Sequence, residues 1–300
     1  MASWTRPGSL ATARSVVRSV TEIPLGTAMT LLVGIIIGLV LGLTGAGGSV
    51  FAVPLLIWVV GLEPTQAIGI SLGAVAAGAL FGVLARIRSG EIQWLPAVVY
   101  STLGALATPA GTWLNRRIDE QWLMLGFGLL AMSIAIRLWV QARRNPSETK
   151  AVRASVYEDD ANAGAVCRMT NNEPFRIGLP CIAGMSGGAL LAGVLSGLFG
   201  VGGGFIIVPT LLFLTGISIR QAVATSLVVI SAVGISGFTS FLLSGGSPAP
   251  AILLQVAGGS LAGMTAGILL SKRVSGPTLQ KVFAVLMFLT AAATIGRTFV

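Results

Sequence analysis

One glycine-rich segment occurs twice in this chain, and that repetition restricts the possible folds more than any other feature. GLVLGLTGAGGSVFAVP at residues 38–54 recurs as GVLSGLFGVGGGFIIVP at residues 193–209. Aligned without gaps, Gly38, Gly42, Leu43, Gly45, Gly47, Gly48, Val53 and Pro54 meet Gly193, Gly197, Leu198, Gly200, Gly202, Gly203, Val208 and Pro209. The match continues through Leu56, Gly61, Gln66, Ala67, Ser71 and Leu72, which meet Leu211, Gly216, Gln221, Ala222, Ser226 and Leu227. Identity at one fixed offset implies two related halves.

The glycines interrupt apolar runs that otherwise favour helix, and each costs a helix about 1 kcal/mol relative to alanine. Residues 27–60 are apolar almost throughout. As one helix they would be about 50 Å long, well beyond a hydrocarbon core of about 30 Å. Two helical pieces hinged at residues 45–48 are therefore expected, and likewise at 200–203. In lipid such a break is tolerated only when buried in protein or lining a wet cavity. Breaks at matching positions in two halves are the pattern of a transporter with a midplane substrate site. The plainer alternative is that the glycines only let helices pack closely.

Composition places the chain in a membrane, since 54% of its residues are hydrophobic and 10% charged, whereas soluble domains are about 25% charged. The net charge of +9 comes from basic residues scattered among short loops, which serve as topology signals and form no clustered face for nucleic acid. There is no histidine, and Cys167 and Cys181 are the only cysteines. They read as two inert thiols, and no metal, cofactor or catalytic residue is expected.

The expected plan is an all-α polytopic protein. It has a tail (1–26), a first membrane repeat (27–144), a polar linker (145–178) and a second membrane repeat (179–300). Within the first repeat, spans follow the broken stretch near residues 65–88, 91–115 and 120–144. Within the second they lie near 219–243, 250–272 and 276–298. Counting each broken stretch as two elements gives about five per half, an odd number, which makes the halves inverted repeats. Arg86, Arg88, Arg143, Arg144 and the linker fall on one face, expected to be cytoplasmic by the positive-inside rule.

All ten acids lie in the tail, a turn, a span end or the linker, so no carboxylate is expected at the bilayer centre. A neutral site remains, made of backbone dipoles and hydroxyls. Helices starting near Ser49 and Gly204 would aim free N–H groups and positive dipole ends at the break, which suits an anion. Candidate substrate-binding residues are Gly45, Gly47, Gly48, Ser49, Gly200, Gly202, Gly203 and Gly204, with Gln66, Ser71, Gln221, Thr225 and Ser226, and Thr44 as a further donor. Serine and threonine in membrane helices often bond their own backbone instead, and the two glutamines could simply start helices. Carbonyls exposed before each break could alternatively hold sodium.

Paired G-x-x-x-G-L-x-G-x-G-G segments followed by proline, in two halves split by a polar linker, resemble the TauE/SafE sulfite exporter family. The likeness covers most of both halves. It implies carriage of sulfite or an organosulfur anion such as a sulfonate across the cytoplasmic (inner) membrane. The first half departs from the second at Ala46 and Ser49, where the second has Val201 and Gly204. Partners are then a small anion and the lipid bilayer, with self-association left open. The leading expectation is a secondary exporter working by alternating access of the two halves. A passive anion channel and an ion-coupled uptake permease share the same neutral site, and a membrane enzyme is disfavoured by the absent histidine. No Walker-type motif for ATP is present.

Overall fold

The computed structural model describes residues 23–45, 48–144, 179–215, 217–271, 285 and 288. The tail to residue 22, the expected linker and nearly all of the last expected span lie outside them. Among the described residues the regular elements are α-helices: α1 (Ile23–Thr44), α2 (Gly48–Val59), α3 (Pro64–Arg86), α4 (Trp94–Asn115), α5 (Glu120–Arg144), α6 (Leu179–Phe199), α7 (Gly204–Thr215), α8 (Ile219–Leu243) and α9 (Pro250–Ser271). Five of these, α1, α3, α6, α8 and α9, are long and apolar enough to cross a membrane. Large apolar side chains such as Leu106, Leu243, Leu254 and Leu269 stand 69% to 84% exposed. On a soluble surface that density would be a liability, whereas here it is a lipid face, and the chain is a polytopic membrane protein.

One expectation changes, at Cys181. The 91–115 segment forms α4 as expected, with Tyr100, Thr108, Thr112 and Asn115 along it. All four are buried, turned toward the protein. Cys181, expected to be an inert thiol, is not free but disulfide-bonded.

Glycine controls which helices pair. Gly34, Gly38 and Gly42 of α1 face Gly259, Gly263 and Gly267 of α9 so closely that a Cβ on Gly38 would lie 2.0 Å from the Ser260 carbonyl oxygen. On the other side α6 lies on α4 in the same way, with Cβ positions of Gly193 and Gly197 only 2.3 Å and 2.2 Å from the carbonyl oxygens of Gly104 and Thr108. Residue numbers rise together in both pairs, so each is parallel.

The remaining contacts fix the other directions. α3 runs with α9, Gly78 beside Ser260 and Gly82 beside Met264, and against α8, Gly69 beside Phe241 and Ala76 beside Gly234. α8 runs with α4, Gly104 beside Val233 and Thr112 bonded to Ser240. Hence α1, α3 and α9 point one way, and α4, α6 and α8 the other. α3 is the most enclosed span, 72% buried against 33% to 44% for the other four. The short helices double back on their predecessors: Gly48 of α2 sits against Ile37 and Leu41, and Gly203 before α7 sits against Ala192.

Candidate functional site

α1 and α6 stop by the same chemistry. Gly45 and Gly200 both have φ near +70° (72° and 69°), a left-handed conformation that glycine adopts without strain and that ends helices. Their N–H groups close the last turn on Leu41 O (2.7 Å) and Ser196 O (2.8 Å). The second break continues through Gly202 and Gly203, both at φ 66°. Gly47, the counterpart of Gly202, lies outside the described residues. α2 and α7 then begin at Gly48 and Gly204, and both glycines are buried.

Each break is docked on the other half. Ser226 of α8 donates from Oγ to Gly45 O (3.2 Å), and at the matching position Ser71 of α3 donates to Gly200 O (2.7 Å). Each hydroxyl also lies 2.9 Å from the carbonyl three residues back in its own helix, Val223 and Ile68. One proton is therefore shared between two acceptors. The side chains beneath the breaks match as well, since a Cβ on Gly45 would meet Val223 and one on Gly200 would meet Ile68. The two short helices approach each other where Ser49, fully buried, faces Gly202. Val75 of α3 and Ile230 of α8 flank that point. Asn115 adds a second clamp, donating from Nδ2 to the Leu198 carbonyl at the end of α6 (2.7 Å).

The predicted site residues thus divide. Gly45, Gly48, Ser49, Gly200, Gly202, Gly203, Gly204, Ser71 and Ser226 come together around the two breaks. Gln221 instead starts α8. Its side chain accepts from Ser218 N (3.1 Å) while its own N–H donates to Ser218 Oγ (3.4 Å), a reciprocal capping box. Gln66 holds the same position in α3, where Glu63 replaces the serine and makes no side-chain cap. Thr225 is fully buried and accepts the Gln93 backbone N–H (3.0 Å), and Thr44 bonds its own helix at Val40 O (2.8 Å).

α1, α2, α4, α6, α7 and α9 carry no charged residue. Among the spans, α3 carries only Arg86 and α8 only Arg220, both at helix ends. No cluster of metal-ligating side chains occurs among the described residues. The centre is electrically neutral in its side chains and polar only through its backbone and hydroxyls.

Two residues that sequence reasoning passed over line this region. They are Tyr100 and Ser196. Both are fully buried; the Ser196 hydroxyl has no hydrogen-bond partner among the described residues, and the Tyr100 phenol lies beside Gly188 and Thr210. The signal for Ser196 was present, because the gapless alignment of the halves sets it against Leu41.

Compared with known proteins, the chain matches the family described as Sulfite exporter TauE/SafE over residues 30–294. It is 32% identical to a probable membrane transporter protein of Xylella fastidiosa over 88% of this chain and 93% of that protein. It is 27% identical to the probable membrane transporter protein YunE of Bacillus subtilis, over 71% and 77% of the two chains. Another relative from Bacillus subtilis, the probable membrane transporter protein YjnA, is 25% identical over 88% of this chain and 98% of its own. No solved structure matches.

Proposed function

Because the chain belongs to the TauE/SafE sulfite exporter family, we propose that it is a secondary transporter exporting a small sulfur-containing anion, of the sulfite or organosulfonate class, across the inner membrane. The observation that carries this is the unequal treatment of the two sides of each break. The carbonyl side, the negative end of α1 and α6, is occupied by Ser226 and Ser71. The opposite side presents the N-termini of α2 and α7, where helices leave N–H groups without intrahelical partners and concentrate positive potential. An oxyanion is favoured there and a sodium ion is not. Inside-negative potential drives anion export by about 2.3 kcal/mol per charge per 100 mV, so no ATP is needed.

The two halves act as inverted repeats, each with a glycine-broken helix pair. Three sequence-matched pairs, α1 with α6, α3 with α8 and α4 with α9, run in opposite directions, which supports this arrangement. The linker at 145–178 is cytoplasmic. Supporting this, α3 ends and α8 begins at the same end of the bundle, bringing Arg86, Arg88 and Arg220 together there, and α6 starts at that end too. A cysteine placed in the linker, with Cys167 and Cys181 replaced, should resist an impermeant thiol reagent in intact cells.

The function itself is tested with purified protein in liposomes loaded with labelled sulfite, thiosulfate, sulfate or a sulfonate. Efflux of sulfite or the sulfonate should saturate and accelerate when the loaded side is made negative. Conductance that never saturates would replace the carrier by a channel, and no flux of any sulfur anion would end the substrate reading.

A further inference from the structure

The two breaks begin alike, at the left-handed Gly45 and Gly200, and then differ: Gly203 has a positive φ that its counterpart Gly48 lacks, and the side chains around them differ too. Ala192 and Ser196 are four residues apart on α6 and so share one face. That face looks at the start of α7, since the atoms nearest a Cβ on Gly203 are the carbonyl and Cβ of Ala192 (oxygen at 2.8 Å). In the first half the same face of α1 carries Ile37 and Leu41, and the backbone of both lies within 2.6 Å of a Cβ on Gly48. Ser196 therefore stands at the N-terminus of α7 where Leu41 stands at the N-terminus of α2.

Its hydroxyl is one of the few buried ones left without a hydrogen bond among the described residues, Ser101 Oγ being another. Buried hydroxyls here usually bond a carbonyl of their own helix, as Thr108 does to Gly104 O and Ser260 to Ala257 O. Ser196 Oγ is fully buried without any partner among the described residues. A buried donor that its own helix leaves unpaired needs a reason to be kept. Tyr100 of α4 sets its buried phenol oxygen against Gly188 of α6. At the corresponding place in the first half is Val256, beside Gly34. Thr30 of α1 and Gln255 of α9 bond each other.

We infer that the anion seat is asymmetric: it lies at the α7 N-terminus, where Ser196 Oγ donates to a substrate oxyanion, and the α2 N-terminus, where Leu41 replaces that donor, does not bind. This rests on the anion reading above and adds which half binds.

The test is calorimetric titration of detergent-purified full-length protein with sulfite, methanesulfonate and acetate, together with thermal unfolding without anion. Ser196→Ala should weaken the best-bound anion about tenfold, which is about 1.4 kcal/mol, while unfolding no earlier than wild type. Ser196→Leu should abolish binding, and Leu41→Ala should leave affinity within about twofold. If Ser196→Ala binds like wild type, the seat is elsewhere even though the anion reading survives. If Ser196→Ala unfolds earlier and loses affinity only in proportion, the hydroxyl is structural and the inference falls. Wild type binding acetate alone would sink the sulfur-anion reading while leaving the Ser196 comparison decisive, and wild type binding nothing would sink both.

Discussion

At the scale of single residues, the glycines of the repeated motif do two different jobs that their spelling does not distinguish. Gly38, Gly42, Gly193 and Gly197 let backbones touch, whereas Gly45, Gly200, Gly202 and Gly203 supply left-handed turns. Gly38→Ala puts a methyl 2.0 Å from a backbone oxygen of α9, where no rotamer change relieves the clash. It should destabilise by about 1–3 kcal/mol or more, as overpacking does. Gly258→Ala, on α9 with nothing within 4 Å, should be neutral or stabilising by up to about 1 kcal/mol. Unfolding of the two variants in the same detergent checks both, and similar shifts would mean the α1–α9 contact is looser than described. Gly48 and Gly203 also lie against neighbouring backbone (2.5 Å and 2.8 Å), so a valine at either would disrupt packing as well as the seat. The packing alternative weighed from sequence thus holds for the first glycines of each motif, and the turn reading for those with positive φ. Only three-dimensional neighbours could separate them, because both uses need the same missing Cβ.

At the scale of helical elements, the crossing serines hold the ends of the broken helices. Ser71 and Ser226 were legible from the alignment as matched hydroxyls, but their acceptors were not. A donor on α3 bonding a carbonyl between α6 and α7 is a contact across 129 residues, and no periodicity encodes it. That the hydroxyls of α4 face protein is equally invisible to sequence hydropathy. The clamp predicts that Ser71→Ala and Ser226→Ala each cost about 1–3 kcal/mol, since each strands a buried carbonyl, and the double variant more. Hydrogen exchange should rise first at residues around Gly200 in Ser71→Ala and around Gly45 in Ser226→Ala. Exchange that rises in the same half as the substitution would show that the bond within the helix, and not the crossing one, matters.

At the scale of the whole molecule, the tightly packed units are not the two halves of the sequence. The duplication suggests residues 27–144 rocking against 179–300, yet each glycine-lined pair joins a helix of one half to a helix of the other. α1 is locked to α9 and α4 to α6, by backbone contacts too close to slide. The packed units are α1, α2, α3 and α9 on one side and α4, α6, α7 and α8 on the other. α3 against α8 and Ser49 against Gly202 form the seam between them, so the proposed alternating access would move the units along that seam. The prediction follows from where a covalent link is placed, in protein whose native cysteines are replaced. A disulfide between Ala76→Cys and Gly234→Cys, which adjoin across α3 and α8 and need to part by about 1 Å to reach the roughly 3.8 Å Cβ separation of a disulfide, should stop transport until it is reduced. One between Thr30→Cys and Gln255→Cys, bonded side chains within one unit, should leave the rate close to that of the reduced protein. Inhibition by the second link and not the first would restore the sequence halves as the moving bodies, because α1 and α9 would then have to separate on every cycle.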